Sequence, residues 1–404
     1  MKQKPLVSVI VLSYKNYHYI YEALNSILIQ DYNNMEVIIS NDGSNDFDKT
    51  SIEKFFKKNK TSNIKKVVIN NNPKNLGTVK NINKAIKLSK GDFIIMFAAD
   101  DAMYNSQVVT KLISAFDTLP KNELIVTSQV GMFDTKLKKL IQLFVSEKNK
   151  EKIINLTPKK LFAEMATQCI LPGPGTCYKR GIFKKYGYFD EKYLLVEDYS
   201  SALKLSRLGV KYNYFDFISF KHRDGGISHG NVICDTSAGN KYNLDILNIF
   251  KYEVLPYLSL LDKKQKKEFI KRYKDHEWRY FYHHKYQNGT KAERRKFVLE
   301  NLSIIIYIFF NGIYKEVKDQ IKGKKFKIFF FGLFLLTVYS FKIDYGSGIV
   351  SIFGSEQLPN LSKNINQTIG FLGLILLVSS IILTFYMFIK KYLIQIYRFI
   401  RFIF

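Results

Sequence analysis

Three groups of carboxylates, far apart in the chain, have the types and spacing to do chemistry together. Asp42 ends the apolar run of IISNDGSND (residues 38–46) and is followed at once by Gly43. Asp100 and Asp101 end DFIIMFAADD, and Glu197 and Asp198 open VEDYSSALKLSRLG. Asp-Gly is also an ordinary turn dipeptide, so Asp42 by itself specifies nothing. Adjacent carboxylates at a strand end suit a hard divalent cation held by few protein oxygens and completed by a ligand's phosphates. Such an ion neutralises charge on a departing diphosphate. Which of Asp100 and Asp101 is the direct ligand stays open, and the pair also fits an N-cap for AMYNSQVVTKLISAF. Glu197 and Asp198 at a helix start are favoured by the macrodipole, typically by ~0.3–1 kcal/mol. A carboxylate in that place can also take the proton from an attacking hydroxyl, as a general base.

The elements that must position these acids follow from hydrophobic periodicity. LVSVIVL (6–12), a β-branched run bounded by Pro5 and Ser13, reads as a buried parallel strand. In YHYIYEALNSILIQ the apolar residues Ile20, Ala23, Leu24, Ile27 and Leu28 recur at helical spacing. MEVIIS is a second strand, VVIN (67–70) a third, VKNINKAIKLSK a helix and DFIIMFAADD a fourth strand. Strands alternating with helices predict an α/β fold with a parallel, doubly wound sheet. Ligands of such sheets lie beyond the carboxyl ends of the strands, where Ser13, Asp42 and Asp100 all fall.

Composition adds a second theme. The 404 residues include 62 Lys+Arg against 35 Asp+Glu, a formal net charge of +27. That excess calls for a polyanionic partner, nucleic acid or an anionic membrane face. Cys169, Cys177 and Cys234 lack CxxC spacing, which argues against a disulfide framework or a zinc site and fits reduced, cytosolic thiols. Met1–Pro5 is short and basic, unlike a secretory leader. From Ile369 to Ile389 there are 21 residues without a charge, enough for the ~20 a bilayer requires. A shorter run, IFFFGLFLLTVYSF (328–341), crosses if Lys327 and Lys342 snorkel, and is otherwise a buried core helix. Lys322, Lys324, Lys325 and Lys327 precede the first run, and Lys390, Lys391, Arg398 and Arg401 follow the second. Basic flanks stay on the cytoplasmic side, which predicts a helical hairpin with both ends inside. Tyr242 to Lys325 is rich in Lys and Tyr and reads as helices on the membrane surface, with SIIIYIFF (303–310) lying in the interface. His276, His283 and His284 lack acids in register for a metal site. The predicted organisation is a catalytic domain over 1–235, a basic helical membrane-surface region over 236–325 and a membrane region with two transmembrane helices over 326–404. Nucleic acid is disfavoured, because the positive residues cluster by the apolar segments and no RNA or DNA module is present.

VSVIVLSYKNYHYIYEALNSILIQDYNNMEVIISNDGSND, then NLGTVKNINKAIKLSKGDFIIMFAADD and later the Glu197-Asp198 pair, resemble the family 2 glycosyltransferases with the glycosyltransferase A fold. The resemblance covers roughly residues 6 to 230, with the blocks in the family's order and spacing. It implies that Ser13 and Tyr14 contact a nucleotide, that Asp42 hydrogen-bonds a uracil ring, and that Gly77 of NLGTVKN and Asp100 complete the nucleotide site. Family members commonly carry Asp-x-Asp at the fourth strand. Here Ala98 stands in place of the first acid, while Asp100, with Asp101 beside it, corresponds to the acid that binds Mg or Mn. Asp198 matches the catalytic base of inverting members. LPGPGTCYKRGIFKKYGYFDE (171–191) resembles the acceptor-side loop and helix, where Gly173 and Gly175 let backbone approach a sugar; Pro-Gly-Pro-Gly is equally a tight loop. His222, in Phe220-Lys221-His222-Arg223, is a further acceptor-side candidate, one place earlier than the family's histidine, and Glu197 another.

The resemblance therefore implies an inverting, metal-dependent transferase that moves one sugar from a nucleotide-diphosphate sugar, UDP-linked by family habit, to an acceptor hydroxyl. The membrane signals extend this to a lipid-linked saccharide in bacterial surface-polysaccharide assembly (O antigen or capsule), at the inner membrane with the catalytic domain facing the cytoplasm. No Gln-x-x-Arg-Trp motif of processive synthases occurs; Trp278, in HEWRY, is the only Trp. Two alternatives stand: a catalytically inactive nucleotide-sugar-binding module at the membrane, suggested by Ala98, or a transferase acting on a non-lipid acceptor.

Overall fold

In a computed structural model of the chain, residues 4–225 and 237–288 are described, with isolated positions between 290 and 296. They belong largely to one compact unit, Met1–His283; a second unit, His284–Phe404, falls almost wholly outside them. The apolar runs at 303–310, 328–341 and 369–389 lie outside the described residues. Among those described, no helix is long and apolar enough to cross a membrane.

The predicted βαβ alternation is present. Strands β1 (Val7–Ser13), β2 (Met35–Asn41), β3 (Ile64–Asn71) and β4 (Phe93–Ala98) are joined through helices α1 (Ile20–Leu28), α2 (Lys49–Asn59) and α3 (Thr78–Leu88). They pair in parallel in the order β3-β2-β1-β4. Strands β1 and β2 are covered on both faces and carry apolar runs, with buried Ser8 donating to Glu36 among them. Their side chains still alternate. Val7, Val9 and Val11 enter one core cluster with α1 and α2, and Ile10 enters the other with α3. Burying a side chain of this size contributes ~1.5–3 kcal/mol.

Beyond β4 the sheet departs from the predicted parallel pattern. After β5 (Ala102–Met103) and α4 (Val108–Ala115) come β6 (Ile125–Phe133), β7 (Leu140–Leu143), α5 (Glu147–Asn155), α6 (Pro158–Thr167), β8 (Thr176–Lys179), α7 (Gly181–Tyr186), α8 (Glu197–Arg207) and β9 (Asn213–Arg223). The order continues β4-β8-β6-β9-β5, with β7 on β6. β8 runs antiparallel to both β4 and β6. It has only four residues, TCYK, directly after the Pro-Gly-Pro-Gly stretch, so its letters read as loop. Helices α9 (Ser237–Ile249) and α10 (Lys263–Asn288) follow, separated by a π-turn over Phe250–Val254 and a 3-10 segment over Leu255–Leu260. Ile246, Ile249, Phe250, Val254, Leu261 and Phe269 from this stretch are buried in the same cluster as α3, α6 and α8.

Candidate active site

Strand register gathers the first residues of the site. Ser13 lies opposite Asn41, and Leu12 opposite Ala98. The Asp42 amide donates to the Ser13 carbonyl (2.8 Å) and the Ala99 amide to the Leu12 carbonyl (2.8 Å), carrying both chains past the same sheet edge. Asp42 is 3% exposed. Its carboxylate accepts from the Leu76 and Gly77 amides (both 2.9 Å) and from the Asn72 side chain (3.3 Å). The acid assigned to a base contact is thus turned onto loop 72–77 and fixes the N-terminus of α3. Gly43 has φ +74°, and a Cβ there would lie 2.4 Å from the Lys74 carbonyl carbon, so glycine is what lets the loop close over the turn. Beside Asp42, the Asn41 side-chain oxygen is buried with no hydrogen-bond partner among the described residues.

The second group surrounds Asp100 and Asp101. Asn16 ties it to the first: its side-chain oxygen accepts from the Ser13 hydroxyl (3.1 Å) and the Tyr14 amide (3.0 Å), while its NH2 donates to Asp100 Oδ1 (3.0 Å). Pairing of β5 with β9, Ala102 against Lys221, brings His222 and Arg223 to the two acids. His222 Nδ1 lies 2.8–2.9 Å from both oxygens of Asp101, and the Arg223 amide donates to Asp101 Oδ1 (3.0 Å). The Arg223 guanidinium donates to the Asp100 carbonyl (2.8 Å), pairs with Glu22 and lies 3.9 Å from the Tyr19 ring centroid. Burial, then the charge of Asp101, raises Asp100 above the ordinary carboxylate range. Burial opposes protonation of His222, but Asp101, with Asp100 and Asp198 behind it, outweighs that and raises it. Among the described residues no set of three or more His, Cys, Asp or Glu is arranged to hold a metal. The donor set nevertheless suits a cation, because Asp100 and Asp101 are adjacent carboxylates and the charge of Asp101 adds to burial in raising Asp100.

Glu197 and Asp198 form the first turn of α8. Asp198 Oδ1 accepts from the Tyr199 amide (2.7 Å). On its other side a Cβ on Gly173 would stand 2.6 Å from Asp198 Oδ2, so the glycine backbone abuts the carboxylate. Gly175 serves packing instead: φ is +83°, and a Cβ would meet the Ser219 hydroxyl at 2.7 Å. Burial raises Asp198, with the Tyr199 amide and the charge of His222 pulling the other way. Glu197 is raised by burial and then by Asp198 itself.

The loop before this turn has its own anchor, which the sequence reading missed. Asp245 of α9 is 3% exposed, and its Oδ2 accepts from three consecutive amides, Leu194 (2.8 Å), Leu195 (2.6 Å) and Val196 (3.2 Å). From the opposite side the Val79 amide donates to the Leu194 carbonyl (3.2 Å), and a Cβ on Gly77 would strike the Leu194 side chain at 2.3 Å. The contacts close a ring. Asp42 holds Gly77, Gly77 packs on Leu194, Leu194 leads to Glu197 and Asp198, and the charges of Asp198 and His222 reach each other. His222 then joins Asp101, and Asn16 links Asp100 back to Ser13. Asn16, Arg223 and Asp245 went unread because an asparagine in a loop, or single charges on a strand and a helix, have no spacing signature. An acid inside the apolar stretch NLDILNIF was the one usable hint.

Acids converging on one sheet edge, with a carboxylate poised on a helix start, are what a group-transfer site on a phosphorylated donor requires. Residues 8–187 match the family described as glycosyl transferase family 2. The chain carries a family 2 glycosyltransferase domain. Its curated relatives include an uncharacterized glycosyltransferase of Rickettsia typhi, 28% identical over 226 residues, which are 54% of this chain and 64% of the relative. Others are an uncharacterized glycosyltransferase of Haemophilus influenzae (27% over 223 residues; 53% and 64%) and one of Methanocaldococcus jannaschii (28% over 223 residues; 54% and 71%). The matched part thus spans 64% of the length of the first of these relatives. Among solved structures, S. aureus TarS 1-349 in complex with UDP-GlcNAc aligns with TM-score 0.47 and 17% identity over 72% of this chain and 78% of that one. The mannosyltransferase PcManGT from Pyrobaculum calidifontis in complex with GDP-Man and Mn2+ aligns with TM-score 0.46 and 14% identity over 79% and 84%. The glycosyltransferase domain is α/β and like the glycosyltransferase A fold, with the carboxyl ends of β1, β2 and β4 at one edge.

Proposed function

We propose that this glycosyltransferase is an inverting enzyme that moves one sugar from a nucleotide-diphosphate sugar, UDP-linked, to a hydroxyl of a lipid-linked saccharide. The observation that carries the reading is Asp198, a carboxylate made more basic by burial, set against the Gly173 backbone and within the field of His222. A group of that kind takes the proton of an attacking hydroxyl. The nucleotide lies along Ser13, Tyr14 and Gly77, with Asp42 holding loop 72–77 in place beside it. Asp100 with Asp101 would hold a divalent cation, Mg or Mn, whose chemistry there would be to neutralise the diphosphate charge. His222 and the Arg223 amide hold the Asp101 carboxylate and Asn16 holds that of Asp100, while Glu197 and Gly173 border the acceptor side. The acceptor oxygen attacks from the face opposite the nucleotide, so one base suffices and the paired carboxylates of glycosidases are unnecessary. The apolar runs at 328–341 and 369–389 and the charge of +27 support a site that works at the cytoplasmic face of the inner membrane in bacterial surface-polysaccharide assembly.

Asp198→Asn tests the reading. Sugar transfer, followed as released nucleoside diphosphate with membrane lipid extract as acceptor, is expected to fall by roughly 10²–10⁴-fold, the usual worth of a general base. Nucleotide affinity by calorimetry stays unchanged. Full turnover in the variant would remove Asp198 from the role of base. Because Ala98 replaces the family's first acid, metal-dependent hydrolysis of the donor without acceptor separates an active enzyme from a binding module.

A further inference from the structure

β7 and the turn before it form a hairpin that the chemistry above does not use. All four residues of β7 are exposed, including Leu140 (42%), Ile141 (53%) and Leu143 (42%). Exposed edge strands usually carry charge to stay soluble; here the strand is aliphatic and the charge sits in the turn, at exposed Lys136, Lys138 and Lys139. None of the three lysines joins an ion pair among the described residues. The nearby Asp134 carboxylate is occupied, accepting from the Lys138 (2.8 Å) and Lys139 (3.1 Å) amides. Those bonds, with Leu137 buried beneath the turn at φ +52°, make the hairpin a built structure.

Its root is at the site. Phe133 pairs with Leu140 and Gly131 with Leu143, while β6 continues alongside His222 and Arg223 of β9. Arg223, which bonds both acids of the candidate cation corner, also donates to the Thr135 carbonyl at the base of the turn. Whatever meets the hairpin is therefore held beside the mouth of the site.

We infer that this hairpin is a membrane-contacting finger, whose lysines meet the headgroups of an anionic phospholipid bilayer while Leu140, Ile141 and Leu143 enter the headgroup boundary. Leu140 pairs with Phe133 and Gln142 with Met132, so a bulge at Ile141 breaks the alternation of β7, and its exposed aliphatic side chains form a wedge rather than one flat face. A wedge suits a fluid interface better than a single groove on a protein. Three cations beside it supply the complement to acidic lipids. In its purpose the inference rests on the proposed lipid-linked acceptor, which such a contact would deliver to Asp198; in its physics it does not.

The test uses the full chain reconstituted with vesicles of phosphatidylglycerol and phosphatidylcholine in equal parts, the lipids brominated. Trp278→Phe provides a background for a single tryptophan, placed at Ile141 (Ile141→Trp) or, as reference, at exposed Lys57 on α2 (Lys57→Trp). Quenching at position 141 is expected to exceed that at 57 by about twofold or more, and to drop to the reference level in pure phosphatidylcholine or when Lys138→Glu and Lys139→Glu are added. Quenching at 141 no stronger than at 57 would overturn the inference. So would a hairpin that joins two copies, shown if Leu140→Ser with Ile141→Ser halves the sedimenting mass and the Ile141→Trp signal ignores lipid charge. Quenching needs no turnover, so a chain that released no diphosphate from any donor would sink the transferase reading and leave this measurement standing.

Discussion

At the scale of single residues, the proposed base Asp198 and Gly173 are one device. Gly173 has no special backbone requirement; its value is that nothing projects toward Asp198. In Gly173→Ala the new methyl would lie 2.6 Å from Asp198 Oδ2. The carboxylate is the movable partner, so it swings away and the fold survives. Displacement of a reacting group by about 1 Å can cost ~10²-fold, and kcat is expected to drop by that order while donor KM and the thermal midpoint hardly change. The pH profile supplies the sign. Burial holds Asp198 above the usual ~3.9, so the acid limb of kcat/KM in the wild type lies above the ordinary carboxylate range. A carboxylate pushed toward water relaxes downward, and the limb of Gly173→Ala moves to lower pH. An unshifted limb with normal kcat would show that the two groups are independent. Asp198 and Asp100 were legible as letters because adjacent acids at a strand or helix end are uncommon. The inward turn of Asp42 onto loop 72–77 was not, since only the fold shows which way a carboxylate faces.

At the scale of elements, the turn that carries the proposed base is anchored by a residue of α9 outside the proposed chemistry. Loop 194–196 has three amides aimed at one oxygen of Asp245, an arrangement that a charged acceptor satisfies about twice as strongly as a neutral one. Asp245→Asn keeps an acceptor and is expected to retain part of the rate; Asp245→Ala leaves buried donors unpaired at ~1–3 kcal/mol each and loses more. Hydrogen exchange of the 194–196 amides should quicken in the same order, with kcat falling further than donor affinity. Equal protection in all three proteins would reduce Asp245 to a bystander. The parallel half of the sheet was readable because β1, β2 and β4 are long, apolar and β-branched. β8 escaped notice for the opposite reason, four residues behind a Pro-Gly run, although it is inserted antiparallel between β4 and β6.

At the scale of the whole molecule, the change of texture near residue 235 suggested a new region, yet the core continues through it. Ile246, Ile249, Phe250, Val254, Leu261 and Phe269 are at most 3% exposed and share a cluster with α3 and α8. At ~1.5–3 kcal/mol each, their loss would exceed or match the 5–15 kcal/mol that typically separates folded from unfolded. A chain ending at residue 235 is therefore expected to be insoluble or to lack a cooperative melt, as judged by light scattering and calorimetry. A soluble, sharply melting product would show that the shorter chain closes its own interior.

The three amides of loop 194–196 reach across to a residue well beyond position 187, where the family match stops. A chimera joined at that point would take loop 72–77 and Asp42 from one parent, and both loop 194–196 and the acid that grips it from the other. Recombination then preserves that grip only when the acid at position 245 travels with the backbone it holds, so a junction between 196 and 245 is a poor place to cut, whereas one at the family boundary keeps the pair together.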